Sequence, residues 1–321
     1  MRLDFRAPGR VNLIGEHTDY SGGLVLPVAI QLGIVLTARR AERIALESAG
    51  SRVELAADGE GAAEGWGRYV AAVAQELAAL GRPAVGLEGA LTADLPQGAG
   101  LGSSGALEVV VATALCAAAE FEVEPLELAR ACQRAELRAV GVPSGILDQA
   151  ASLLGREGAA LLLDCRTYAH RWVDLPPQLG IIVVDSGERH THEASGYGDR
   201  RRELEAGTPR RVRHVATENA RVGETVAALE RGDIAALGPI FAASHASLRN
   251  DYEVSTPTLD AVVAAALEAG AIGARMTGGG FGGSVVAVAE RRAAGDVLRA
   301  TLRRAGAQGW EVRAAGGVLT P

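Results

Sequence analysis

The chain has 321 residues, 48% of them hydrophobic and 22% charged, with a formal net charge of -7. That apolar content supports packed cores and excludes global disorder, while the acidic balance argues against a nucleic-acid-binding surface. All 32 cationic residues are arginine, which excludes a P-loop or protein-kinase lysine and any lysine Schiff base.

In chain order, residues 24–38 read as a buried strand region rich in Val, Leu and Ile. Runs at 43–48 and 52–56 flank Ala49-Gly50-Ser51 and predict a hairpin. Residues 66–80 carry Tyr69, Val70, Val73, Leu77 and Leu80 at helical spacing, and a strand follows at 85–93. Two helices are expected at 104–121 and 125–140, then strands at 159–164 and 180–185. Helices at 194–205, 211–231, 233–246 and 256–269, a strand at 284–289, a helix at 291–305 and a strand at 310–313 complete the reading. Strands and helices mix without strict βαβ alternation, so the expected class is α+β. The length suggests two domains, with a boundary at Pro176-Pro177 giving units 1–176 and 177–321.

Cys116, Cys132 and Cys165 are an odd number without metal-ligand spacing, the opening Met-Arg-Leu-Asp-Phe-Arg has no apolar run, and residues 24–38 are too short to span a bilayer. Together they predict a cytoplasmic protein without a membrane partner.

Three segments carry chemistry. The loop Pro96-Gln-Gly98-Ala99-Gly100-Leu101-Gly102-Ser103-Ser104-Gly105 follows a strand and opens a long helix. Such glycines let successive N–H groups converge on an anion at a helix N-terminus, and a serine hydroxyl there suits phosphate or Mg²⁺. By itself the loop reads equally well as a glycine turn with a serine cap. In Gly141-Val-Pro-Ser-Gly145-Ile-Leu-Asp148 the acid lies among apolar residues. In isolation it reads as a turn or N-cap residue, and if buried it needs a cation such as arginine. The segment Arg10-Val-Asn-Leu-Ile-Gly-Glu16-His17-Thr-Asp19-Tyr20 gathers donors and acceptors suited to a polyhydroxylated ligand.

Together these segments resemble the GHMP small-molecule kinases, and within them the galactokinases. Gly9 to Tyr20 matches the galactokinase signature almost letter for letter, 96–105 is similar to the family's ATP-phosphate loop, and Met276 to Gly283 to its third motif. Asp185 to His190 with Tyr197, and Ser244 to Ser255, resemble further galactokinase blocks. The resemblance implies an amino-terminal domain like the second domain of ribosomal protein S5, a ferredoxin-like carboxy-terminal domain, and a cleft between them. It implies ATP, Mg²⁺ and galactose as ligands and transfer of phosphate to the sugar's C1 hydroxyl. Carried over by position, Asp148 is the catalytic aspartate and Arg10 its cationic neighbour. Glu16, His17, Asp19, Gly145 and Tyr197 bind the sugar. Gly98, Ala99, Gly100, Leu101, Gly102, Ser103 and Ser104 wrap the triphosphate, Ser104 also meets Mg²⁺, and Trp66 stands beside adenine. Gly102 departs from the serine usual in galactokinases, and the chain is shorter than the family near 205–213.

Overall fold

The computed structural model describes residues 2–96, 98–141, 143–188 and 196–318. Strands β1 (Arg2–Asn12), β2 (Leu24–Val25), β3 (Pro27–Ala41), β4 (Arg43–Ser48) and β5 (Ser51–Ala56) precede helix α1 (Gly67–Ala79) and strand β6 (Gly86–Ala93). Helices α2 (Ser103–Ala118), α3 (Pro125–Val140) and α4 (Leu147–Leu154) lead to β7 (Ala159–Asp164), β8 (His170–Asp174) and β9 (Leu179–Asp185). The remainder is α5 (Tyr197–Glu205), α6 (Pro209–Glu230), α7 (Leu237–Ser247), α8 (Pro257–Glu268), β10 (Gly273–Thr277), β11 (Ser284–Glu290), α9 (Ala294–Leu302) and β12 (Gln308–Val312).

The first sheet has strand order β1-β3-β6-β4-β5, antiparallel except for β4 beside β6. A four-stranded antiparallel sheet, β10-β11-β9-β12, forms in the second half, and β2-β7-β8 make a small third sheet. Helix α2 is apolar nearly all round and is buried against the first sheet, as a helix lacking a polar face must be. Helix α3 has one buried stripe, starts with Pro125 and ends on the left-handed Gly141. One apolar cluster runs through both large sheets, joining Leu36 and Val110 to Ile181, Val286 and Leu229. A second lies between the four-stranded sheet and α8 and α9. No described helix is long and apolar enough to cross a membrane.

The expected strands and helices recur within a few residues of their predicted ends, and the mixed architecture is the expected α+β class. Four elements add to the sequence reading. β1 holds Pro8 and Gly9, residue types that ordinarily interrupt a strand. β8 has few apolar residues, α4 is short, and β10 carries Arg275 at its centre.

That arginine is fully buried, and its guanidinium crosses from the second sheet to the first half of the chain. It pairs with Glu16, donates to the Leu13 carbonyl at 3.0 Å and to Ser244 Oγ at 3.0 Å, and lies 3.4 Å from Glu218. Burial works against the charge of Glu218, but Arg275, His214 and Arg221 hold its carboxyl below the ordinary range. Removing one partner from such a buried pair leaves uncompensated charge, typically at about 3–5 kcal/mol. Arg275→Met is therefore expected to lower unfolding free energy by that order in urea denaturation.

Candidate active site

The cleft is built outward from β1. Register against β3 slips between Pro8 and Arg10, a bulge that re-aims the strand end. A Cβ on Gly9 would meet the Leu95 side chain at 2.5 Å and the Leu101 carbonyl oxygen at 2.7 Å. Bare backbone there lets the glycine loop close on β1, where the Arg10 amide donates to the Leu101 carbonyl at 2.9 Å.

The Arg10 side chain spans the loop and α4. Its Nε and Nη2 meet Asp148 Oδ1 at 2.7 and 2.6 Å, and Nη1 donates to the Gly100 carbonyl at 2.5 Å. Asp148 lies in the first turn of α4, where the helix dipole favours an anion. A Cβ on Gly105 would come 2.7 Å from Asp148 Cβ, so α2 and α4 approach closely here.

Gly98, Gly100 and Gly102 all have left-handed backbone, with φ of 69°, 72° and 72°. Alternating such residues turns N–H groups toward a common anion position ahead of α2. Gly98, Gly100, Leu101, Gly102, Ser103 and Ser104 line the cleft. The side chain of Ala99 is buried instead, and its carbonyl accepts from Ser284 Oγ at 2.6 Å, tying the loop to β11. Gln97 lies outside the described residues, as do Arg189, His190 and His192.

Ser104 Oγ donates to Glu136 Oε1 at 2.8 Å, and Ser144 Oγ donates to Glu136 Oε2. The sequence reading missed Glu136, which lines the cleft from α3. Its signal was an acid in helical register with the buried Cys132 and Leu128, where an apolar residue is the rule.

At the other end, Glu16 is buried, accepting from Thr277 Oγ1 at 3.0 Å and the Gly278 amide at 3.1 Å besides pairing with Arg275. Burial raises its carboxyl despite that arginine. His17 has φ 62°, and its Nδ1 lies 2.9 Å from the Tyr20 hydroxyl, which in turn lies 2.8 Å from that of Tyr252. Burial, with His214 and Arg275 nearby, pushes its imidazole well below the usual range, so it is neutral at pH 7.

Asp19 abuts Gly145 so closely that a Cβ there would fall 1.7 Å from its Oδ2. Tyr197 opens α5, with its ring centroid 5.5 Å from that of His17. Glu16, His17, Asp19, Gly145, Asp148, Arg10 and Tyr197 thus share one cleft of about 410 Å³, a volume ordinary for a small-molecule site. Trp66 is not among its walls. It precedes α1 with its indole turned to β5, donating to Ser51 Oγ at 2.7 Å. Arg68 and Tyr69, next on the same helix, line the cleft instead.

Family models match the chain in the same order as these parts. The galactokinase galactose-binding signature covers residues 4–40, the GHMP kinases N terminal domain 68–156 and the GHMP kinases C terminal domain 225–308. A galactokinase of Streptomyces coelicolor is 41% identical over 333 aligned positions, covering 92% of this chain and 86% of that protein. The chain belongs to the galactokinase family of GHMP kinases. Within the family, a Bos taurus galactokinase is 40% identical, again over 92% of this chain and 86% of the other. The crystal structure of Lactococcus lactis galactokinase complexed with galactose superposes with TM-score 0.91 at 30% identity, covering 100% of this chain and 95% of that one. Methanococcus jannaschii mevalonate kinase shares the fold at TM-score 0.79 and 19% identity, covering 98% of each chain.

One group in the cleft is set to titrate near neutrality. Burial pushes the Asp19 carboxyl up to about 6, with the Asp148 charge adding to the effect and the Tyr20 amide and Arg10 opposing it. In carbon-13 NMR of the sugar-free protein, Asp19 should titrate near pH 6, well above the ordinary aspartate value of about 3.9. A midpoint near that ordinary value would show the site to be wetter than its packing implies.

Proposed function

We propose that the chain transfers the γ-phosphoryl group of ATP to the C1 hydroxyl of α-D-galactose, giving α-D-galactose 1-phosphate and ADP. The observation that carries this reading is the Arg10–Asp148 pair, set between an amide-rich glycine loop and a hydroxyl-binding pocket. In a family of sugar kinases, that is the junction where a sugar oxygen would meet a phosphate.

Phosphoryl transfer is chiefly positioning and charge stabilisation. In this reading Asp148 orients the C1 hydroxyl and accepts its proton. The hydroxyl oxygen forms a bond to the γ-phosphorus as the bond from that phosphorus to the ADP oxygen breaks. Arg10, anchored by the Gly100 carbonyl, faces the oxygens on which charge develops. Amides of the loop from Gly98 to Ser104 serve the triphosphate, replacing the lysine this chain lacks.

The groups at Ser104 and Glu136 suit Mg²⁺, which takes oxygen ligands from one or two carboxylates and completes its shell with phosphates and water. Among the described residues no cluster of three or more His, Cys, Asp or Glu side chains could hold a metal unaided. Bound there with the nucleotide, the ion would offset charge on the phosphoryl oxygens.

For the sugar, Asp19, Glu16 and the neutral His17 supply acceptors, with the Gly145 backbone and the Tyr197 hydroxyl completing the set. We assign the adenine end to Arg68 and Tyr69 in place of Trp66. We also place the protein in the cytoplasm, a reading supported by three buried, unpaired cysteines.

Two substitutions test the assignment. Asp148→Asn should lower kcat by about 10²–10⁴-fold, the usual reach of a general base, while ADP affinity by calorimetry stays unchanged; near-normal turnover would overturn the role. Gly145→Ala places a methyl group on the Asp19 carboxylate and should raise KM for galactose about tenfold or more, the scale of one lost charge-assisted hydrogen bond. KM for ATP should hold, and a matching rise in both constants would count against the sugar assignment.

A further inference from the structure

Helix α2 buries one acid, Glu108, within an otherwise apolar stretch, and its side chain is completely excluded from solvent. Its Oε2 accepts from Gln149 Nε2 at 2.8 Å, and the same nitrogen reaches Glu136 Oε2 at 3.2 Å. One amide group therefore bridges two carboxyls, using a hydrogen toward each. Glu108 Oε1 has no hydrogen-bond partner, and no arginine pairs with Glu108 among the described residues. An acid so placed costs the fold stability. An apolar side chain of similar volume would fill the same space without that cost.

What the arrangement does provide is a brace. Glu136 is gripped by Ser104 from α2, by Ser144 from the turn before α4, and by Gln149. Two of these grips are themselves held, Ser144 through its carbonyl by Gln133 Nε2 at 2.9 Å and Gln149 through its side-chain amide by the buried Glu108. Gln149 also directly follows Asp148, so the bridge links α3 to the helix carrying the aspartate.

We propose that Glu108 is a positioning residue that acts through Gln149 to fix the Glu136 carboxylate for the metal–nucleotide complex. The inference rests on the kinase reading and on Glu136 as a magnesium ligand. Loss of an outer partner of a metal ligand typically lowers metal affinity about 10–100-fold.

The test compares ADP binding by calorimetry with Mg²⁺ present and with EDTA, in the full chain. The wild type should bind ADP more tightly with Mg²⁺. Glu108→Leu should lose about 10–100-fold of that magnesium-dependent gain, with ADP affinity in EDTA and galactose affinity unchanged. Glu108→Gln retains an acceptor for Gln149 and should restore the gain. If Glu108→Leu does not fold, Gln149→Met carries the same expectation.

A full magnesium gain in the folded variants would overturn the proposal. So would equal losses with Mg²⁺ and with EDTA, the mark of a packing role. No magnesium gain in the wild type, together with no galactose-dependent ADP release, would instead sink the kinase reading and this inference with it.

Discussion

The buried Arg275 guanidinium is the contact on which the cleft depends. A charge removed from water requires partners, and those of Arg275 come from three separate parts of the chain. Glu16 and the carbonyl of Leu13 belong to the segment after β1, Glu218 to α6 and Ser244 to α7. The segment is thus held from behind by the second sheet. Thr277 and the Gly278 amide add to the same grip on Glu16. With Glu16 anchored, the left-handed backbone at His17 is sustained, and Asp19 is presented against Gly145.

From that anchor the cleft is electrostatically divided. The end formed by residues 16–19 holds acids, of which Asp19 feels both burial and the Asp148 charge. The glycine-loop end offers peptide dipoles together with Arg68 on the cleft wall, while Arg10 is paired with Asp148 and the Gly100 carbonyl. Left-handed glycines at alternate positions place those dipoles without any side chain. The same bareness lets the loop pack against β1 at Gly9 and lets Arg10 and Asp148 lie beside Gly102. Where galactokinases usually have serine at that last position, a Cβ here would lie 3.1 Å from Arg10 Cγ, so glycine accords with the close fit.

Much of the fold was legible because periodicity reports burial directly. The hairpin at 43–56, α3 and β7 follow from alternation, helical stripes and turn residues that need no distant contact. Elements whose signal is non-local were missed. β1 contains Pro8 and Gly9 because a bulge and a loop contact require them, and β10 carries a central charge because its partners lie on other elements. Among the residues that line the cleft, Glu136 was missed for the same reason: it is an acid whose register lies on the buried face of α3 and whose partners lie on other elements. Trp66, expected beside adenine, lies off the cleft wall with its indole donating to Ser51 Oγ.

By itself, the sequence determined the ingredients and their order: a polar segment after a strand, a glycine loop opening a helix, an acid after a glycine turn, and no lysine anywhere. Those features are local, and local chemistry is written in adjacent residues. The pairing of Arg10 with Asp148 was expected only from the resemblance, and tertiary structure supplied its geometry across 138 positions. Tertiary structure alone decided that Arg275 reaches back to Glu16 and that Gln149 spans Glu108 and Glu136. Each of those contacts requires two or three elements to pack at one angle and distance. The register of sheets and the closeness permitted by glycine set that geometry, and no run of neighbouring residues encodes it.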